Sequence, residues 1–251
     1  MRAEGYKVTR EHQASHWWFR ARRDLALRQV RRAAGALGHP GRRLALLDYG
    51  CAEGFDLPYL AEFGAPEGAD VSDTLAAAPP AHPVHVVPRD LPRLRGRFDI
   101  VTCLDVLEHL DDDVDGLRTI ASLLVPGGQI VVTVPAYAWL WSGEDEISAH
   151  RRRYTRAALV AAGRAAGLEV VYASYFNASL LPAMAAVVWT RRLLHRRWRE
   201  ESNLTADPRW LRGLAGALTA LEARWVGDER CRIPAGASLV CRLRRPREAA
   251  P

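Results

Sequence analysis

Short unbroken apolar runs, each followed by a stretch with helical spacing, recur along this chain, and that alternation limits its fold more than any other feature. The first run is Leu44-Ala45-Leu46-Leu47-Asp48-Tyr49; others are Val84–Val87, Phe98–Leu104, Gln129–Val134, Leu168–Phe176 and Ser238–Leu243. Continuous rather than alternating hydrophobicity is what a strand buried on both faces needs. Residues 15–37, Asp113–Leu124 and Thr155–Ala166 read as helices, with Ser15 and Thr155 placed as N-caps. Pro40-Gly41 and Pro126-Gly127-Gly128 break the chain between elements. Strand alternating with helix predicts an α/β fold: a doubly wound sheet of about seven strands, mostly parallel, with helices on both faces. An N-terminal helix precedes the sheet, and a helical insertion comes before the last strand.

The pattern divides the chain into an N-terminal helical lid (1–40), a core (41–176), a helical cap or insertion (177–237) and a last strand with its tail (238–251). Within the insertion, Leu211, Leu214, Leu218, Leu221 and Trp225 repeat at spacings of three and four, predicting one apolar helix face. The segment Ala178–Trp198 mixes an apolar run with Arg191, Arg192, Arg196 and Arg197, and Arg199 follows it. Such a basic apolar helix can lie on anionic lipid or cap a pocket; a substrate-covering cap is the favoured expectation, with peripheral membrane contact as its rival.

With 251 residues, 49% of them apolar, the chain is long enough to bury a core, which excludes collagen, disordered tails and small disulfide scaffolds. The four cysteines form no C-x-x-C pair and no zinc spacing, so they are expected to be reduced and no metal is expected. The first residues lack the apolar core of a signal peptide, and the run Ala178–Trp189 is too short to span a bilayer. A cytoplasmic protein is the expectation. The formal net charge is +6, and all but one of the 35 basic residues are arginine, Lys7 being the exception. Two readings stand: an anionic partner, or the codon bias of a GC-rich genome, which also favours Ala, Gly and Pro.

Chemistry concentrates at Asp48-Tyr49-Gly50-Cys51-Ala52-Glu53-Gly54, directly after the first strand. A strand running into a small-residue turn lets a ligand approach the backbone closely, as in Rossmann-like nucleoside binders. About twenty residues on, Gly68-Ala69-Asp70-Val71-Ser72 places an acid at a strand end, where it can accept bonds from ribose hydroxyls. The dinucleotide fingerprint G-x-G-x-x-G is not met, because its positions hold Gly50, Ala52 and Phe55. A phosphate-binding G-x-x-x-x-G-K-[ST] loop is absent from the sequence.

Asp48–Gly54 resembles motif I of class I S-adenosylmethionine-dependent methyltransferases, with Ala52 in place of the middle glycine. The resemblance continues in order through Gly68–Ser72, through Phe98-Asp99-Ile100-Val101 to Val106-Leu107-Glu108-His109, and through Leu124-Val125-Pro126-Gly127-Gly128. His16-Trp17-Trp18-Phe19 and His150-Arg151-Arg152-Arg153-Tyr154 are similar to a bacterial small-molecule subgroup associated with glycan or specialised metabolism, including natural product biosynthesis.

The resemblance implies that S-adenosylmethionine is the cofactor and S-adenosylhomocysteine its product. It implies that Gly50 and its neighbours Cys51, Ala52 and Gly54 contact the methionine portion, that Asp48 fixes that loop, and that Asp70, with Val71 beside it, holds the ribose. It implies further that Asp90 and Leu91 flank the adenine and that Leu104 lines the site. Methyl transfer is an in-line displacement in which a protein aligns the acceptor, excludes water and, for a hydroxyl, removes a proton. His109 at the end of the fourth strand is one candidate base. Asp145 and His150, in the loop Trp139–His150, form another, against the alternative that the loop carboxylates pair with Arg151–Arg153. Glu108 is expected to be structural. His16, Trp17, Trp18, Tyr137, Trp141, Arg152 and Tyr154 are the expected substrate contacts. Arg20–Arg23 and Arg151–Arg153 would suit an acceptor carrying a carboxylate or phosphate.

The expected activity is methyl transfer to oxygen or nitrogen of a small molecule. The alternatives are a non-methylating use of the fold, such as a cyclase, and a nucleic-acid methyltransferase. The last is disfavoured because the D-P-P-Y-type motif of amino-methylating DNA enzymes is replaced by Cys103-Leu104-Asp105-Val106.

Overall fold

The structure is a computed structural model that describes residues 16–38, 42–71, 82–194 and 209–247. Its strands are β1 (Leu44–Tyr49), β2 (Gly64–Asp70), β3 (Val84–Val86), β4 (Phe98–Leu104), β5 (Leu124–Pro135), β6 (Glu169–Phe176) and β7 (Ser238–Arg244). They form one seven-stranded sheet in the order β3-β2-β1-β4-β5-β7-β6. The first five strands pair in parallel, and β7 runs antiparallel to both β5 and β6. Strand β1 lies between β2 and β4, so the order reverses at the carboxyl ends of β1 and β4. That crevice is where open α/β sheets bind ligands.

Helices α1 (Trp17–Leu37), α2 (Leu57–Leu60), α3 (Leu91–Leu94), α4 (Asp113–Leu123), α5 (Gly143–Ser148), α6 (Arg156–Ala165), α7 (Leu181–Leu194) and α8 (Arg209–Gly227) flank the sheet. The strand pleat explains the two layers. Leu47, Val101 and Val132 share a cluster with Leu117 and Ile120 of α4 and Leu159 of α6. Leu46, Ile100 and Val131, one residue out of phase, meet Ala26, Val30 and Ala33 of α1 on the other face. Each large aliphatic side chain buried this way contributes about 1.5–3 kcal/mol. Thr155 caps α6 as expected, its side chain accepting from Ala158 N. Strand β5 starts five residues before the predicted run, because Leu124 pairs with Phe98 and the Pro-Gly-Gly turn lies within the strand.

Two expectations change. Ser15 lies outside the described residues, and His16 holds the N-cap of α1, its Nδ1 accepting from Trp18 N. The start of α1, as far as Arg22, faces the ligand crevice; from Leu25 onward its apolar row is spent on the sheet and on α8. The second change concerns α8. Its predicted apolar face points outward, with Leu214, Leu221 and Trp225 exposed by 55%, 47% and 51%. The buried row is Ala215, Thr219, Ala223 and Val226. Small residues win because α8 packs close to α1: a Cβ on Gly227 would lie 2.7 Å from Arg28 Cβ. Among the described residues no helix is long and apolar enough to cross a membrane.

Candidate functional site

The turn after β1 is fixed by the backbone of β2. Gly50 N donates to Ala69 O at 2.7 Å and Cys51 N to the same oxygen at 3.2 Å. Gly50 adopts φ +82°, and a Cβ there would lie 2.4 Å from Val106 Cγ2, so both conformation and space require glycine. Ala52 N donates to Asp70 Oδ2 at 2.8 Å, and Val71 N to Asp70 Oδ1 at 2.7 Å. Asp70 therefore ties the turn to the end of β2. Gly54, at φ +75°, closes the turn by donating its N–H to Cys51 O. Burial pushes the Cys51 thiol far above its usual range, leaving it a neutral packing group.

A cavity of about 700 Å³ opens at this point. Asp48, Gly50, Cys51, Ala52 and Leu104 line it at the sheet end. His16, Trp17 and Trp18 line it from the start of α1, and Met184, Val187 and Val188 from α7. Helix α7 thus runs along the cavity, with its outer side chains Trp189, Leu193 and Leu194 exposed.

Acidic groups dominate the polar lining, and at the sheet end Arg22 sits among them. Arg22 donates to Asp105 Oδ2 at 2.8 Å and to Asp56 Oδ2 at 3.1 Å. Burial works against its charge, but Asp105 and Asp56 outweigh that and raise its pKa further. Its Nε is buried with no hydrogen-bond partner. Asp48 accepts from Thr102 Oγ1 at 2.7 Å, and burial, with repulsion from Asp56, pushes its pKa up to about 7. A ligand carrying both cationic centres and a carboxylate fits this set: Asp48 and its neighbours suit the cations, and the orphaned Nε of Arg22 suits the carboxylate. S-adenosylmethionine has that charge pattern.

At the other side of the cavity stand two histidines. His150 Nδ1 lies 2.8 Å from Asp145 Oδ1, and the His109 ring meets the His150 ring edge-on at 4.8 Å. Burial, then His150, pushes His109 down to about 4, so its imidazole is neutral. Asp145 is fully buried and does not line the cavity. It also accepts from Arg153 Nε at 2.7 Å and Nη2 at 2.8 Å, and from Ser142 N at 2.7 Å. Burial opposes its charge, but His150 and Arg153 hold its carboxyl well below the usual range. Asp145 thus contacts His150 and pairs with Arg153 at once, so the carboxylate–arginine pairing is present beside the histidine contact. The turn Leu107–His109 places Glu108 beside these rings, where burial, with Asp105 next, raises its pKa well above the carboxylate range.

Several expected contacts are drawn elsewhere. Asp90 closes its own turn, accepting from Val86 N at 2.8 Å and pairing with Arg93, so its carboxylate is committed and neither it nor Leu91 lines the cavity. Tyr137 stacks on Tyr175 at 5.1 Å, away from the cavity. Trp141 Nε1 donates to Glu146 at 2.9 Å. Tyr154 OH donates to Asp113 Oδ2 at 2.8 Å inside the core. Arg152 donates to Leu110 O and Asp111 O and pairs with Asp113. Tyr137, Trp141, Arg152 and Tyr154 thus brace the loop over β5 instead of lining the pocket. Of the arginines set aside for an anionic acceptor, Arg23 is occupied by Asp56 and Arg151 by Asp111, while Arg20 is exposed. Asp105, given no role from the sequence, joins Arg22 to Thr133 Oγ1. Its only signal was its place in the motif after β4.

The sheet order and this ligand crevice define a class I methyltransferase fold. Residues 16–173 match the family described as a methyltransferase domain, and the chain belongs to that family. A ubiquinone biosynthesis O-methyltransferase of Bordetella avium is 32% identical over 136 residues, 47% of this chain and 55% of that protein. The chain spans about half the length of the curated relatives it matches. A SAM-dependent methyltransferase from Archaeoglobus fulgidus shares the fold with a TM-score of 0.55 at 16% identity, over 95% of this chain and 98% of that one. The plantazolicin methyltransferase BamL, solved with a triazolic desmethylPZN analog and SAH, gives a TM-score of 0.59 at 11% identity, over 96% and 88%.

Proposed function

We propose that the chain methylates a hydroxyl group of a small acceptor whose body is largely apolar. The observation that carries this reading is the Asp145–His150 pair, with its imidazole lining the same cavity as the Gly50–Ala52 turn. A hydroxyl needs its proton removed as the methyl group arrives, whereas a free amine does not. The oriented imidazole of His150, with the neutral His109 against it, supports oxygen as the methylated atom. The Bordetella avium relative, named as an O-methyltransferase, supports it too. A place in glycan or specialised metabolism draws no support from that relative.

S-adenosylmethionine supplies an activated methyl group when bound. Gly50, Cys51 and Ala52 border its methionine portion, and Arg22 takes its carboxylate. Asp70 keeps the second lone pairs of its oxygens for the ribose hydroxyls while it holds Ala52 N. Asp48 faces its cationic centres. Trp17, Trp18 and α7 keep water from the acceptor. The apolar side chains of α7 favour a ring or chain over an anionic acceptor.

The test is transfer of labelled methyl from S-adenosylmethionine to two matched panels, phenols and catechols with apolar tails, and the corresponding amines. Label on oxygen, with kcat reduced about 100-fold or more by His150→Asn, is the expected result. Methylation of the amines alone would overturn the assignment.

A further inference from the structure

Glu108 has no task in the reading above, and its surroundings assign it one. It is fully buried, and neither carboxylate oxygen has a hydrogen-bond partner. An orphaned buried carboxyl is costly enough to call for an explanation. His109, beside it on the same turn, has a buried Nδ1 that is also without a partner. His150 comes from a loop some forty residues later; with its Nδ1 held by Asp145, its Nε2 points to the other side, 4.0 Å from Glu108 Oε1.

We infer that Glu108, His109 and His150 form a binding site for a first-row divalent metal ion at the acceptor end of the pocket. This deepens the proposed function and rests on its reading of the pocket. One ligand atom from each residue lies within 4.8 Å of the others. Bonds of 2.0–2.2 Å to a tetrahedral ion set ligand atoms roughly 3.3 Å apart, so a closing of up to about 1.5 Å by side-chain rotation completes the site. Two imidazoles and one carboxylate match Zn²⁺, Co²⁺ or Fe²⁺ better than Mg²⁺ or Ca²⁺, which prefer oxygen. The Asp145–His150 contact is the outer-shell carboxylate that fixes ring orientation at such centres. Three protein ligands leave a fourth position open.

His109 and His150 both line the cavity, so the open position faces the acceptor. With the ion bound, the His150 imidazole is a ligand and no longer the base, and the ion instead makes the acceptor hydroxyl more acidic. The hydroxyl proton leaves to solvent, the carbon–oxygen bond forms as the cofactor's carbon–sulfur bond breaks, and the sulfonium becomes a neutral thioether.

The experiment uses the full chain without an affinity tag, stripped with chelator and dialysed, then titrated with Co²⁺ and Zn²⁺ by calorimetry and visible absorption. The expected result is one equivalent bound per chain, with the Co²⁺ absorption bands of nitrogen and oxygen ligation. Glu108→Gln and His109→Asn should each weaken binding at least about 30-fold while leaving affinity for S-adenosylhomocysteine unchanged. No stoichiometric binding, or binding that both variants retain, overturns the site. Labelled methyl transfer in the same samples separates the two claims. Full turnover in stripped protein sinks the metal site and leaves hydroxyl methylation standing. Stoichiometric metal without oxygen methylation does the reverse.

Discussion

Asp145 accepts a hydrogen bond from His150 at 2.8 Å while both of its oxygens receive the guanidinium of Arg153. One buried carboxylate therefore holds the ring that reaches the pocket and neutralises the arginine that anchors the loop to Ala136 O. Removing it strands a charge: Arg153 is itself only 9% exposed in its side chain. Asp145→Ala should destabilise the fold by about 3–5 kcal/mol, read from denaturant unfolding. A loss under about 1 kcal/mol would mean that the network is solvated and does not order His150.

Asp70 joins the end of β2 to the turn after β1 through Ala52 N and Val71 N. Asp70→Ala removes both contacts and the ribose partner proposed above. Affinity for S-adenosylhomocysteine should fall about 10- to 100-fold by calorimetry, since hydrogen bonds to a charged group are worth about 1.5–3 kcal/mol. Unchanged affinity would place the ribose elsewhere.

Arg22 offers a sharper discrimination, because its proposed partner is a single group of the cofactor. Arg22→Ala should weaken S-adenosylhomocysteine about 10- to 100-fold. Binding of 5′-methylthioadenosine, which lacks the carboxylate, should change less than about threefold. Equal losses for the two ligands would show that Arg22 only holds Asp56 and Asp105 in place.

Glycines in this chain separate into required and replaceable positions. Gly50→Ala places a methyl group 2.4 Å from Val106 in a left-handed backbone, and should cost about 1–3 kcal/mol together with cofactor affinity. Gly35, exposed within α1 and with nothing within 4 Å of an added Cβ, should gain about 0.5–1 kcal/mol as alanine. Thermal unfolding of the pair provides an internal control; a destabilised Gly35→Ala would undo the packing argument.

The sheet was legible because its signal is local: runs such as Leu44–Tyr49 and Phe98–Leu104 must be buried on both faces wherever they pair. The turn at Gly50 was legible for the same reason, since strand, small residues and acid are contiguous. The acceptor end was only partly so. Glu108 and His150 are brought together by β4, β5 and the loop that follows, and no spacing rule joins positions so far apart in the chain. The leucine row of α8 misled because periodicity reports that a helix has an apolar face, not which face its neighbours can approach; here close contact with α1 selected alanine and threonine. Tyr154 and Arg152 were drawn away by partners on α4 and the segment before it, which sequence distance hides.

The pH dependence of the cofactor end follows from Asp48. Burial, with Asp56 adding repulsion, raises its pKa to about 7, while the hydrogen bond from Thr102 and the charge of Arg22 act the other way. An unfolded aspartate titrates near 3.9. The folded protein thus binds this proton more tightly than the unfolded chain. The stability it contributes is fully present below about pH 4 and is lost as pH rises through about 7. A cationic ligand at Asp48 reverses the preference, because it favours the ionised carboxylate. Binding of S-adenosylmethionine at pH 6 should therefore release protons, measured as a dependence of calorimetric heat on buffer ionisation enthalpy. Affinity should rise between pH 5.5 and 7.5 (roughly the window of that titration). Asp48→Asn should abolish both effects, and proton release that persists in this variant would assign it to another group.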